Sequence, residues 1–194
     1  EVHIGNLALQ SENVIWKTDP ASHPTIQYGN NRVVIDGIKL VNADQRIEAQ
    51  GAIGSANETL HVKAENVDVA QLDALALGDQ RLAGRLNANG TVSGTTAAPR
   101  VVADFALTEG AFRDFKFMSF TGKVDYADRG MNVDVRLDQD PQAWLTAKGS
   151  APTSLFRPTP REMEGEHMAP APGEAINIEV ATSQINLGVI QGFV

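Results

Sequence analysis

The chain has 194 residues, a net charge of −8, no cysteine, and 42% hydrophobic against 21% charged residues. That balance suits a folded chain with a real core, while the acidity makes nucleic acid and anionic membrane surfaces poor partners. Absence of cysteine excludes disulfides, thiolate zinc sites and cysteine nucleophiles, and no run approaches the ~20 apolar residues of a membrane-spanning helix.

From the amino terminus, "EVHIGNLAL" already alternates like a strand. "RIEAQGAIGS" (46–55) puts Ile47, Ala49, Gly51 and Ile53 on one face, and Ser55-Ala56-Asn57-Glu58 supplies turn chemistry. "LHVKAE" then sets Leu60, Val62 and Ala64 against His61, Lys63 and Glu65. "DVAQLDALALGD" (68–79), rich in Leu and Ala and punctuated by Gly78-Asp79, is the one decent helix candidate. "RLNANGTVSG" (85–94) returns to strand, with Leu86, Ala88, Gly90 and Val92 on its apolar side. "VVADFALT" aligns Val101, Ala103, Phe105 and Leu107, although Val102 and Ala106 leave its other side only half polar.

Phe112, Phe115, Phe117 and Phe120 make the aromatic cluster of the sequence. Phe115 and Phe117 share a face, and Phe112 and Phe120 fall on the opposite parity; the rings read as ordinary core or as a groove lining. "GKVDYA" and "MNVDVRLD" read as a hairpin through Asp128-Arg129-Gly130, the second strand facing Met131, Val133, Val135 and Leu137 one way. "WLTAKGSAPT" (144–153) follows with Leu145, Ala147, Gly149 and Ala151. Residues 151–175 hold more than half of the nine prolines and no alternation, an excursion or mobile loop within the unit. "INIEVAT" brings Ile176, Ile178 and Val180 to one face, and "SQINLGVIQGF" reads as a second short helix. Both ends look cut, so residues 1–194 are expected to be one section of a longer repeating protein.

About a dozen strands with short connections predict an all-β fold of antiparallel neighbours. Three of them carry a glycine in the middle of the apolar face: Gly51, Gly90 and Gly149. Glycine inside a strand marks a bend, a bulge or a close approach. These glycines either seat corners of a filled β-sandwich or curl a sheet into a trough. Coverage bears on the choice, because a dozen apolar strand faces need a second sheet, closure into a barrel, or an apolar ligand. The expected fold is a curled antiparallel β-sheet, a taco-like trough or open barrel, with a hydrophobic concave face and little helix.

No catalytic constellation emerges. His3, His23, His61 and His167 lack metal-ligand spacing, and Asp134, Asp138 and Asp140 lack the glycine and spacing of a calcium loop. "GTVSGTT" lacks the Gly-Lys-Ser/Thr of a phosphate loop, and no nucleophile elbow occurs. The expectation is a non-enzyme with no metal and no cofactor.

"VDVAQLDALALGDQRLAGRLNANGTVSGTTAAPRVVADFALTEGAF" (67–112) resembles the repeating unit of the TamB-like proteins, within the wider AsmA-like group of bacterial envelope proteins. The shared features are the leucine-rich segment Leu72 to Leu77, then Leu82-Ala83-Gly84-Arg85-Leu86, Gly90-Thr91-Val92-Ser93-Gly94-Thr95, Pro99 and an alternating strand. The resemblance extends to residue 150 and recurs at 183–194, is weaker before residue 60, and is absent from the proline-rich excursion. It implies an inner-membrane anchor in the full-length protein, a long curled sheet in the periplasm, an outer-membrane barrel partner, and phospholipid movement to the outer membrane.

On this reading phospholipid acyl chains would lie along Ile47, Leu60, Val62, Leu86, Val92, Val101, Phe105, Leu107, Met131, Val133, Val135, Leu137, Leu145, Ile176, Ile178 and Val180, with Gly51, Gly90 and Gly149 setting curvature. The rival readings are a scaffold receiving outer-membrane strands by β-augmentation and a ligand-free β-sandwich or adhesin module. Two copies could also pair edge to edge.

Overall fold

The computed structural model describes residues 2–3, 8–11, 14–71, 82–127, 130–152 and 176–183. They form one antiparallel sheet of thirteen strands: β1 (Val2–His3), β2 (Ala8–Ser11), β3 (Val14–Thr18), β4 (Thr25–Gly29), β5 (Arg32–Asn42), β6 (Gln45–Ile53), β7 (Thr59–Asp68), β8 (Leu82–Gly94), β9 (Pro99–Phe112), β10 (Phe115–Ala127), β11 (Gly130–Asp138), β12 (Trp144–Pro152) and β13 (Asn177–Thr182). From β4 to β13 sequence neighbours are also spatial neighbours, β1 lies outside β4, and the β2–β3 hairpin joins β5 further along the edge that β4 uses. The expected all-β, curled and open sheet is what the chain builds. Within the alternating amino-terminal stretch, residues 2–3 and 8–9 are strand, in β1 and β2, and residues 4–7 lie outside the described residues.

Local chemistry accounts for the meander. Asn30 and Asn31 both take positive φ (51° and 58°) between the facing residues Gly29 and Arg32, the two-residue hairpin turn whose twist matches its strands. Glu58 N–H donates to the Ser55 carbonyl at 3.2 Å, closing the expected turn between β6 and β7. Between β11 and β12 the Asp140 carboxylate accepts the N–H groups of Gln142 and Ala143. Ala127 faces Gly130 across the β10–β11 hairpin, while its central residues, 128–129, lie outside the described residues. Of the helix expected over 68–79, Asp68 ends β7 and residues 69–71 are helical; the remainder lies outside the described residues. So do 153–175 of the excursion and 184–194.

Strands β5, β7 and β9 each carry one extra residue against a neighbour, between Ile35 and Ile38, Ala64 and Val67, and Thr108 and Ala111. At each bulge one residue is left-handed: Gly37 (φ 66°), Asn66 (φ 52°) and Glu109 (φ 51°). A bulge bends its strand and raises the local twist, so three of them on alternate strands coil the sheet. Among the described residues the buried apolar side chains are few, Trp16, Leu40, Val67, Leu137, Ala143 and Ala151, and only Trp16 and Val67 are fully buried. Among the described residues no second sheet packs on the first, so the core of a sandwich does not form.

Candidate functional site

Partners in an antiparallel ladder point to the same side, so the registers decide which side chains share a face. One row runs Ile38, Ala49, Val62, Gly90, Ala103, Val124, Val133, Gly149, Ile178 from β5 to β13. On one side of it lies Leu40, Ile47, Ala64, Ala88, Phe105, Gly122, Val135, Ala147, Val180, and on the other Ile35, Gly51, Leu60, Val92, Val101, Tyr126, Met131, Ala151. A fourth, Val67, Leu86, Leu107, Phe120, Leu137, Leu145, ends at Thr182. The result is one apolar surface, two rows of which cross nine strands and which is four rows deep from β7 to β12. Most of it is half-buried; Val62, Ile178 and Val180 remain exposed.

Fifteen of the sixteen residues assigned to the groove from sequence lie on this surface. The other, Ile176, stands just before β13 and is 56% exposed. Ile35, Ile38 and Leu40 also belong to the surface but were not assigned from sequence, because the bulge at Gly37 hides the alternation of "RVVIDGIKLVN". Val124 and Tyr126 were missed too, and Phe120 was read as either core or groove lining, although "FTGKVDY" alternates plainly and carries a fourth central glycine, Gly122.

The glycines are not equivalent. Gly51 (φ 123°) and Gly149 (φ 155°) hold backbone shapes that other residues rarely adopt, and each abuts the next strand. A Cβ on Gly51 would overlap the Thr59 carbonyl oxygen, and one on Gly149 would overlap that of Asn177. Gly90 has no such constraint: its added Cβ would stand 3.4 Å from Ala103 Cβ, ordinary contact. Conformation and close approach therefore require glycine at Gly51 and Gly149 and do not require it at Gly90.

Two places on the face are more filled. Trp16, Leu40 and Val67, from β3, β5 and β7, form one buried cluster with Ile38, Ile47, Ala64 and Leu86 packed around it. Alternate strands of a flat sheet lie ~9.6 Å apart, so this cluster reaches over β6 by means of curl and a large ring. The Trp16 indole N–H is buried without a hydrogen-bond partner. Near β9–β10, Phe105 and Phe120 meet edge to face at 5.1 Å, and Phe117 meets Phe120 at 6.5 Å. Phe115 and Phe117 stack at 6.1 Å, so Phe120 joins them instead of taking the opposite side. That departure from strict parity sits opposite the bulge at Glu109, and the Phe117 ring lies over Gly110.

The reverse face carries an alternating charge ladder in one register row: Asp19, Lys39, Glu48, Lys63, Asn89, Asp104, Lys123, Asp134, Lys148, Glu179. Its ion pairs include Lys39–Glu48 at 3.2 Å, Lys123–Asp104 at 3.2 Å and Lys148–Asp134 at 3.1 Å. Exposed pairs stabilise little, but they discriminate between registers. A one-residue slip would turn the apolar face outward. A two-residue slip of β10 against β11 keeps the faces but can set Lys123 against Arg136 and Asp125 against Asp134.

Next to the ladder, hydrogen bonds from Lys63, Arg100 and Arg136 hold the carboxyls of Glu65, Asp125 and Asp138 below their ordinary range. His61 is exposed on this face. Among the described residues no group of three His, Cys, Asp or Glu side chains could hold a metal ion. Searches found no family model, curated protein or solved structure that matches this chain.

Proposed function

We propose that this chain is a section of a periplasmic lipid-transfer bridge of the TamB-like and AsmA-like kind, in which the concave apolar face shelters phospholipid acyl chains between inner and outer membranes. The observation that carries the reading is the uninterrupted apolar surface from β5 to β13, flanked by no covering layer among the described residues and backed by a charged face. Every tail methylene removed from water there contributes up to about 0.8 kcal/mol, without direction or a strong stopping point. Headgroups stay in solvent along the open side. The chain's part is passive and non-enzymatic: it replaces water around the tails, and movement follows the continuity of the surface. In the full-length protein this reading places an anchor in the inner membrane and a barrel partner in the outer membrane.

The test is lipid extraction and native mass spectrometry of the purified chain. Val133 lies mid-row between Val124 and Gly149, so Val133→Asp puts a carboxylate in the path of the tails. Co-purifying phospholipid should disappear in Val133→Asp and persist in Asp134→Asn on the reverse face, both keeping a β-rich circular dichroism spectrum. A lipid-free wild-type chain, or equal lipid in both variants, would sink the proposal.

A further inference from the structure

We infer that β3 is a gate, and that Trp16 leaves its buried place when an acyl chain enters the β5–β7 end of the trough. The inference rests on the lipid reading and adds one point of resistance to it. Thr18 faces Leu40 across the β3–β5 ladder, so Trp16, two residues earlier on β3, lies on the side of the apolar rows. There it fills what the sheet elsewhere leaves open. Val67, in the cluster with Trp16, is 0% exposed, whereas Val62, on the same strand and the same face, is 37% exposed. A tail lying along Ile47, Ala64 and Leu86 would compete for contacts that the Trp16–Leu40–Val67 cluster already makes.

Two observations make this plug removable. The Trp16 indole N–H is buried with no hydrogen-bond partner among the described residues, although a buried tryptophan ordinarily finds one. The closed position therefore forfeits the hydration of that donor, and opening restores it. The hold on β5 is also short. Its register pairs are Lys17↔Val41 and Thr18↔Leu40, so Trp16 stands beyond the end of that ladder, with Leu9 of β2 as its register partner. Short, sparsely paired segments open before the body of a sheet does. Behind Trp16 the chain is pinned: Asp19 N–H donates to the Lys39 carbonyl at 2.8 Å, and the Ser22 hydroxyl donates to the Gly37 carbonyl. Breaking the two register pairs lets β3 swing about this anchored turn and carries Trp16 off Leu40 and Val67. The wall itself is tied at the far ends of these strands. Gly54 N–H donates there to the Gly94 carbonyl at 3.2 Å, and the Thr96 hydroxyl to the Asn31 carbonyl at 3.3 Å.

The experiment uses the whole chain with Trp144→Phe, which leaves Trp16 as its one tryptophan, and lauroyl lysophosphatidylcholine below its micellar concentration. Native mass spectrometry counts bound lipid while acrylamide quenching reads the exposure of Trp16. Quenching should start low and rise several-fold in step with the bound count. Lys17→Cys with Val41→Cys, on facing positions about 4.5–5.5 Å apart at Cα, adds a reducible disulfide across the β3–β5 pair. Oxidised, this variant should keep Trp16 shielded at lipid concentrations that expose it in the reduced form. Lipid bound with Trp16 shielded throughout, Trp16 quenched freely before lipid is added, or a full rise in the oxidised variant would overturn the gate and leave the lipid reading standing. No lipid bound by the Trp144→Phe chain or by the reduced variant would overturn both.

Discussion

Alanine substitution of the three central glycines separates their roles. At Gly51 the new Cβ overlaps the Thr59 carbonyl and stands 3.0 Å from Leu60 Cα, at a φ of 123°. Backbone strain of about 1–3 kcal/mol and forced packing of a similar size put the cost near 2–5 kcal/mol. Strand β6 is locked between β5 and β7, so that cost falls on the whole sheet, a Tm loss of roughly 5–20 °C. At Gly149 the Cβ overlaps the Asn177 carbonyl and stands 2.7 Å from Ile178 Cα, a clash of the same order. Strand β13 is held by β12 alone among the described residues, so it peels before the sheet melts. Gly149→Ala should therefore change Tm little and raise exchange of the Glu179 and Ala181 amides tenfold or more. Gly90→Ala, with ordinary contact at 3.4 Å, should be neutral or stabilising by about 0.5–1 kcal/mol. Thermal melts and amide exchange on the three variants decide it. A Gly90→Ala loss equal to that of Gly51→Ala, or unchanged β13 exchange in Gly149→Ala, would refute the reasoning.

Three further outcomes follow from the same surfaces. Lys123→Glu lines up three carboxylates with Asp104 and Asp134 and should cost about 1 kcal/mol more than Lys123→Gln in urea titrations. The gap should close near 1 M salt, where the Debye length is ~3 Å. Trp16→Ala should lose about 3–5 kcal/mol in the same titrations, whereas Trp16→Phe loses much less, because the indole N–H makes no hydrogen bond to forfeit. Asp125 has its pKa lowered in the folded chain by its hydrogen bond to Arg100, so its contribution is complete above the ordinary carboxylate value near ~4 and fades as pH falls through the lowered one. The stability difference between wild type and Asp125→Asn should thus be constant above about pH 5 and vanish in acid; a difference that grows on acidification contradicts the sign.

Much of the site was legible because period-two alternation reports a face directly. Met131, Val133, Val135 and Leu137 needed no tertiary information, nor did the glycine-centred strands, and short turns made antiparallel neighbours the natural pairing. The reading failed where the backbone changes phase. Gly37 sits in an extra residue's place in β5, so the face passes from Ile35 to Ile38 and Leu40, which were left unassigned; Phe120 read as facing away from Phe117, although their rings meet at 6.5 Å.

Residue order alone determined the chemistry of each strand's two sides, since a side chain's side depends only on its parity within an unbroken strand. Only the tertiary structure decided which parities line up across strands, where bulges reset them, and which glycines are obligatory. Those facts depend on register, a relation between residues far apart in the chain. Lys39 and Glu179 carry no sign in the sequence that they belong to one ladder; the strands between them put them there.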